Sequence, residues 1–191
     1  MIRQNKELLN YVMKLHQSEA NNAVIEQTFT PKQQIIQHGK QVIYVCIFKS
    51  GIAKCFLTED NGKEFIEEFF GEGEIVGEIE VINEHLSVAN IEAISDLVVY
   101  KIKKDTFNRL LESDKTFNHL ILKALSSKIH YKAIRHSYNQ SHPVESNLLR
   151  LKKDFPDFIS AIPKQDIANY LGITLRSLNR TLNDLKVKGI F

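Results

Sequence analysis

The sequence holds two cysteines and no tryptophan among its 191 residues, and it has no long apolar run. Each shortage closes off a class of protein. Two cysteines cannot supply the four or so ligands of an iron–sulfur cluster. Cys46 and Cys55 fall in strand-like segments without metal-ligand spacing, which suits buried thiols in a reducing cytosol. The longest apolar run, Val42 to Phe48, is far too short to span a bilayer. The start, Met1 to Glu7, leads into an amphipathic stretch and not an apolar signal core. A cytoplasmic chain without a membrane partner is therefore expected. There is no nucleophile motif and no glycine loop of the kind that cradles phosphates. The histidines, at 16, 38, 85, 119, 130, 136 and 142, include no pair in the first hundred residues with ligand spacing. A metal enzyme built on clustered His and Glu, as in cupins, is thus a distant alternative, and neither metal nor cofactor is expected. What remains is ordinary for a chain that buries a core, with 43% hydrophobic and 25% charged residues.

Charge of one sign is missing from two long stretches. From Glu64 to Tyr100 there is no lysine or arginine, against ten acidic residues. From 115 to 142 there are five basic residues and no acid. The net charge of +2 thus conceals −6 over residues 1–114, +5 over 115–142 and +3 over 143–191. An acidic front and a basic back are what a polyanion-binding C-terminal module needs. A solvated basic helix has the same charge pattern.

Leu8, Leu9, Val12 and Leu15 recur at helical spacing over residues 5–17. From Val24 to Ile102 short apolar runs follow one another, separated by turn residues such as His38-Gly39, Lys49-Ser50-Gly51, Asn61-Gly62 and Gly71-Glu72-Gly73. Strands are predicted at Val24–Phe29, Gln34–Gln37, Val42–Phe48, Ile52–Leu57, Glu64–Phe70, Ile75–Val76, Ser87–Ile94 and Leu97–Ile102. Asn61-Gly62 predicts a type I′ hairpin, with positive φ at both residues. Many short strands without helices between them indicate a β-sandwich, barrel or roll. If Lys49-Ser50 is a two-residue turn, Cys46 and Cys55 lie on neighbouring strands and share a face. They are then buried structural thiols or a redox switch.

Beyond Lys103 the pattern is helical. A short helix is predicted at Asp105–Leu111, and a long one from Lys115 to about Gln140 contains neither glycine nor proline and stops at Ser141-His142-Pro143. Its stripe of Phe117, Leu120, Ile121, Ala124, Leu125 and Ile129 is covered either by the β domain or by a second chain. A homodimer through residues 115–140 is the expectation. Three further helices are predicted at Val144–Lys153, at Lys164–Tyr170 after Pro163, and from Thr174, a plausible N-cap, to about Lys186. Leu171-Gly172-Ile173 would be the sharp turn between the last two. Ile167, Leu171, Ile173, Leu178 and Leu182 would face inward. Thr174, Arg176, Ser177 and Arg180 would face out, with side chains suited to guanine edges and phosphates.

The phrase Lys164-Gln165-Asp166-Ile167-Ala168, then Leu171-Gly172-Ile173-Thr174, then Ser177-Leu178-Asn179-Arg180, resembles the DNA-reading signature of the Crp/Fnr transcription regulators. The β region adds to the resemblance through Gly39, Lys49-Ser50-Gly51, Asn61 to Glu64 and Gly71 to Glu78. It implies an α+β chain in three parts. These are a cyclic-nucleotide-binding-like jelly roll (a double-stranded β-helix) over 1–114, a dimerisation helix over 115–142 and a helix-turn-helix domain over 143–191. By the same resemblance Arg176 and Arg180 read bases, while Lys164, Gln165 and Thr174 hold phosphates of double-stranded DNA. RNA polymerase is a further partner in any activating role. The family's β-hairpin wing has little or no counterpart, because the sequence stops at Gly189-Ile190-Phe191.

The resemblance also implies an effector pocket at Gly77, Glu78, Ile79, Ser87, Val88 and Ala89. In cyclic-nucleotide binders of this family an Arg-Ser/Thr-Ala triplet clamps the phosphate and the Glu takes the ribose. Here Glu78 is present, but the triplet aligns with Ser87-Val88-Ala89 and lacks the arginine. The purine-contacting Thr-Ser pair falls near Lys132-Ala133. A buried phosphate without a cation in so negative a field is disfavoured, so the pocket is read as not built for cAMP. The same regulator gated by a cyclic nucleotide or another small effector is the alternative. His38 and His85 are haem-ligand candidates by residue type only and read as exposed turn residues.

Overall fold

The computed structural model describes residues 2–18 and 23–190. Met1 and Phe191, read above at the two ends, lie outside the described residues. The strands are β1 (Ile2–Arg3), β2 (Val24–Phe29), β3 (Gln34–Ile36), β4 (Tyr44–Ser50), β5 (Ala53–Thr58), β6 (Glu64–Phe70), β7 (Ile75–Val76), β8 (Asn90–Ala93) and β9 (Leu97–Lys103). The helices are α1 (Lys6–Gln17), α2 (Glu78–Asn83), α3 (Lys104–Ser113), α4 (Lys115–Ser141), α5 (Val144–Asp154), α6 (Phe158–Ala161), α7 (Lys164–Leu171) and α8 (Leu175–Val187). The fold is α+β: a β-roll, a long helix, then a helical domain.

The roll is two facing sheets, β1-β6-β5-β8-β3 and β2-β9-β4-β7. All pairings are antiparallel except β1 on β6. The four consecutive residues Val45 to Phe48 are all buried. A strand buried on both faces has lost the polar alternation of a half-exposed one. Here α1, α3 and α4 cover the outer side of β4 and its neighbours, and Phe117, Leu120, Ile121 and Ala124 of α4 join the core of the roll.

A bulge gives the other sheet its second buried face. Cys55 pairs with Glu68 but Phe56 pairs with Ile66, so Glu67 is the extra residue in β6. Without it Ile66 and Phe69, three apart, would point to opposite faces; with it they share one. That face, with Phe56, belongs to a second core shared with Leu148, Phe158, Ile167, Tyr170, Leu178 and Leu182 of the C-terminal helices.

Two sequence expectations are corrected. The β5–β6 connection is not a type I′ turn. Only Gly62 has positive φ (+78°), and Gly62 N donates to Glu59 O at 2.8 Å. The connection runs from 59 to 63, and loops of that length are built around ordinary turns that need no consecutive positive φ values. Nor is Lys49-Ser50-Gly51 a hairpin. It carries the chain from one sheet to the other, so Cys46 and Cys55 lie in different sheets and not on neighbouring strands. A Cβ at Gly51 would sit 2.3 Å from Asp96 O, which explains the glycine at that crossing. Both thiols are buried, and burial pushes Cys46 up to about 12. The strands are not free of intervening helices, since α2 lies between β7 and β8; neither β1 nor α6 was expected, and β8 is shorter than the apolar run Ser87–Ile94.

Candidate nucleic-acid interface and effector cavity

Helices α7 and α8 meet at Gly172, whose φ of +68° is the left-handed conformation that a sharp turn demands. Gly172 N and Ile173 N then satisfy carbonyls of α7 at Asn169 and Ala168. Thr174 caps α8, its hydroxyl accepting from Ser177 N at 3.1 Å. Leu178, Leu182 and Leu185 bury one face of α8. On the other, Thr174, Arg176 and Arg180 are exposed, Ser177 is half-buried, and all four line a shallow concavity with Asn183 and Asp184. Arg176 and Arg180 are four residues apart and so stand one above the other. Lys164 and Gln165 are exposed at the start of α7, and Gln165 Nε2 donates to Asn169 Oδ1 at 2.9 Å.

The C-terminal domain rests on the outer face of β5 and β6. Lys54 Nζ, in β5, lies 2.9 Å from Glu64, 3.4 Å from Glu92 and 3.1 Å from Asp166 of α7. Burial would pull the Lys54 ammonium down, but the bonds to Glu64 and Asp166 outweigh it and hold it above its ordinary value. Burial raises Asp166, opposed by Lys54. Both directions describe one ammonium shared by three acids. Beside it, Arg135 of α4 donates to the carbonyls of Ile66, Glu67 and Tyr170 and stacks 3.9 Å above the Tyr170 ring. Tyr131 and Tyr170 share a hydroxyl–hydroxyl bond of 2.8 Å. The sequence reading missed this junction. Its one local signal was the adjacent pair Phe69-Phe70, apolar on both sides of a strand.

The expected pocket residues are brought together. Gly77, Glu78, Ile79, Ser87, Val88 and Ala89 line one cavity of about 340 Å³ between the roll and α4. Gly77, at φ +87° and with Tyr44 O 2.8 Å from where a Cβ would be, delivers Glu78 at the start of α2. The inference that no cation reaches this site is corrected. Lys128 of α4 enters the cavity, donates to Ile75 O and lies 2.5 Å from Glu78 Oε1, both side chains buried. The single Ser87 hydroxyl proton faces two acceptors, Ala89 O at 2.8 Å and Glu80 Oε1 at 3.1 Å, and the oxygen accepts weakly from Ala89 N.

The basic stretch 115–142 is also re-read. Lys123 pairs with Glu7 at 2.5 Å, Lys128 with Glu78, Lys132 with Glu67 at 3.3 Å, and Arg135 with backbone carbonyls. Four of its five cations thus answer acids and carbonyls of the roll. Along the middle of α4 apolar side chains are exposed instead, Leu122 by 60% and Ile129 by 71%. Among the described residues no group of three or more His, Cys, Asp or Glu is placed to hold a metal ion. No helix among them is long and apolar enough to cross a membrane.

A β-roll joined by a long helix to a helix-turn-helix is the architecture of a class of DNA-binding regulators. Residues 26–114 match the cyclic nucleotide-binding domain, and residues 162–191 match the crp family of bacterial regulatory proteins. The chain belongs to the Crp/Fnr family of transcription regulators. It is 25% identical over 158 residues to the regulatory protein YeiL of Escherichia coli O157:H7, covering 78% of this chain and 69% of that one. It is 22% identical over 192 residues to the regulatory protein HlyX of Actinobacillus pleuropneumoniae, covering 91% and 77%. The fold is that of FixK2 from Bradyrhizobium japonicum, with a TM-score of 0.73 at 18% identity over 87% of this chain and 86% of that one.

Proposed function

We propose that the protein binds double-stranded DNA sequence-specifically, as a cytoplasmic homodimer, and has no enzymatic activity. Residues 1–114 act as the sensor, 115–142 as the dimerisation helix and 143–191 as the DNA-binding domain. Arg176 and Arg180 read base edges in the major groove. Lys164, Gln165 and Thr174 hold phosphates, and Ser177 reaches phosphate or base edge. The observation that carries this reading is the pair of exposed arginines, one turn apart, in the capped N-terminal half of a helix whose opposite face is buried. Exposed Leu122 and Ile129, seven residues apart on α4, support pairing through residues 115–140. RNA polymerase is a further partner in any activating role.

The cavity at Gly77, Glu78, Ile79, Ser87, Val88 and Ala89 is the effector pocket, and it does not take a cyclic nucleotide. Its ribose-binding carboxylate, Glu78, already holds Lys128, and the phosphate triplet lacks its arginine.

The test compares two variants on a selected operator. Arg180→Ala is expected to lose about 1–3 kcal/mol and to relax specificity at its base pair. Lys164→Ala is expected to weaken all sequences alike and to lower the salt slope by about one. Unchanged operator affinity in Arg180→Ala would overturn this docking.

A further inference from the structure

We propose that the cavity between the roll and α4 takes an uncharged, largely apolar small molecule. This rests on the reading of the chain as a regulator whose pocket does not take a cyclic nucleotide. Four observations carry it. Three of the four carboxylates lining the cavity face a cation, Glu78 with Lys128 at 2.5 Å, Glu67 with Lys132 at 3.3 Å and Glu68 with Arg3 at 2.8 Å, and the fourth, Glu80, lies 3.1 Å from the Ser87 hydroxyl. An entering anion would have to draw Lys128 away and leave Glu78 buried without its cation, which is strongly unfavourable. The Ser87 hydroxyl is likewise engaged, at 3.1 Å from Glu80 and 2.8 Å from Ala89 O.

The rest of the wall is apolar. Phe70, Val76, Ile91 and Leu125 line the interior. The lip is apolar too: Ile79 and Val88 line the cavity, yet Val88 is 62% exposed. Two adjoining exposed apolar side chains at the mouth of an apolar cavity suit an apolar ligand. The volume of about 340 Å³ lies at the small end of ligand pockets, which run from about 300 to 1,000 Å³. One or two rings, or a short branched alkyl chain, match that space.

The occupant would touch the helix that carries the regulatory parts. Leu125, Lys128 and Ile129 line the cavity, and Tyr131 and Arg135, on the next turn, hold Tyr170 of the helix-turn-helix.

The experiment titrates the full-length protein with the uncharged fluorophore N-phenyl-1-naphthylamine, and in parallel with a naphthalene sulfonate of similar size and with cAMP. Saturable binding of one neutral probe per chain is expected, with the sulfonate at least tenfold weaker and no displacement by cAMP. Ala89→Phe, which fills the cavity from a buried wall, should lower probe affinity at least tenfold. Val88→Asp, at the exposed lip where folding is insensitive, should lower it several-fold. Displacement by cAMP, tighter binding of the sulfonate, or probe binding that is non-saturable or unchanged in Val88→Asp would overturn the proposal. DNA binding scored on the same preparation separates the two readings: intact DNA binding with a failed probe titration removes the apolar ligand alone.

Discussion

Lys54 and Asp166, 112 positions apart in sequence, meet at 3.1 Å in a buried ion pair that ties β5 to the first helix of the helix-turn-helix. Glu64 and Glu92 share the same ammonium. The two partners are therefore unequal. Removing Lys54 strands three carboxylates, whereas removing the charge of Asp166 leaves the lysine with two. Lys54→Met is expected to destabilise by about 3–5 kcal/mol, the range for a broken buried pair. Asp166→Asn should cost clearly less. Urea unfolding and amide exchange in α7 measure both, and a larger loss in Asp166→Asn would contradict the reading.

A second relationship sets the start of α4. Asp114 caps it, accepting from Thr116 N at 2.9 Å and Phe117 N at 3.0 Å, and also accepts from the Tyr11 hydroxyl. The Tyr11 bond, then the Phe117 amide, hold the Asp114 carboxyl below its ordinary 3.8. A carboxyl depressed in the folded state contributes stability that is present above 3.8 and lost as pH falls through the folded value. Asp114→Asn should flatten stability over that acid window. Asp114→Ala should cost about 1 kcal/mol at neutral pH. An acid limb unchanged in Asp114→Asn would contradict the cap assignment.

Tyr11 behaves in the opposite sense. Burial, then the bond to Asp114, push its hydroxyl up to about 12. Its contribution is full below 10 and lost as pH rises through about 12. Tyr11→Phe should remove that alkaline loss, as read by thermal melts between pH 9 and 12.

The exposed stripe of α4 gives a prediction about assembly. Leu122 is largely exposed, so Leu122→Glu should leave the fold of one chain intact. In a homodimer paired along α4 it buries a charge in the seam. Sedimentation should then find a monomer at concentrations where the parent is a dimer, with operator affinity falling more than tenfold. A dimer unaffected by Leu122→Glu would move the interface elsewhere.

Much of the fold was legible because its signals are local. The strand runs Val24–Phe29 and Glu64–Phe70, the left-handed Gly172 and the Thr174 cap each depend on a few neighbouring residues, and each is found where the sequence places it. The Asn61-Gly62 and Lys49-Ser50-Gly51 readings failed because a turn dipeptide does not report loop length or sheet switching. The cation beside Glu78 was missed for a different reason. The acidic strands and the basic helix look independent in sequence, but Lys128 reaches Glu78 across 50 positions and Lys123 reaches Glu7 across 116. Long-range pairing of that kind leaves no mark on local pattern. The residues proposed to face DNA were legible because an exposed arginine on an otherwise amphipathic helix stands out against its own period.

The most direct test of the central claim is selection from a randomised DNA pool, at two salt concentrations and without added ligand. The account predicts a recovered palindrome whose half-sites lie about one helical turn apart, bound with a steep salt slope that Arg180→Ala weakens at specific base pairs. Weak binding without sequence preference, equal in parent and Arg180→Ala, would contradict it.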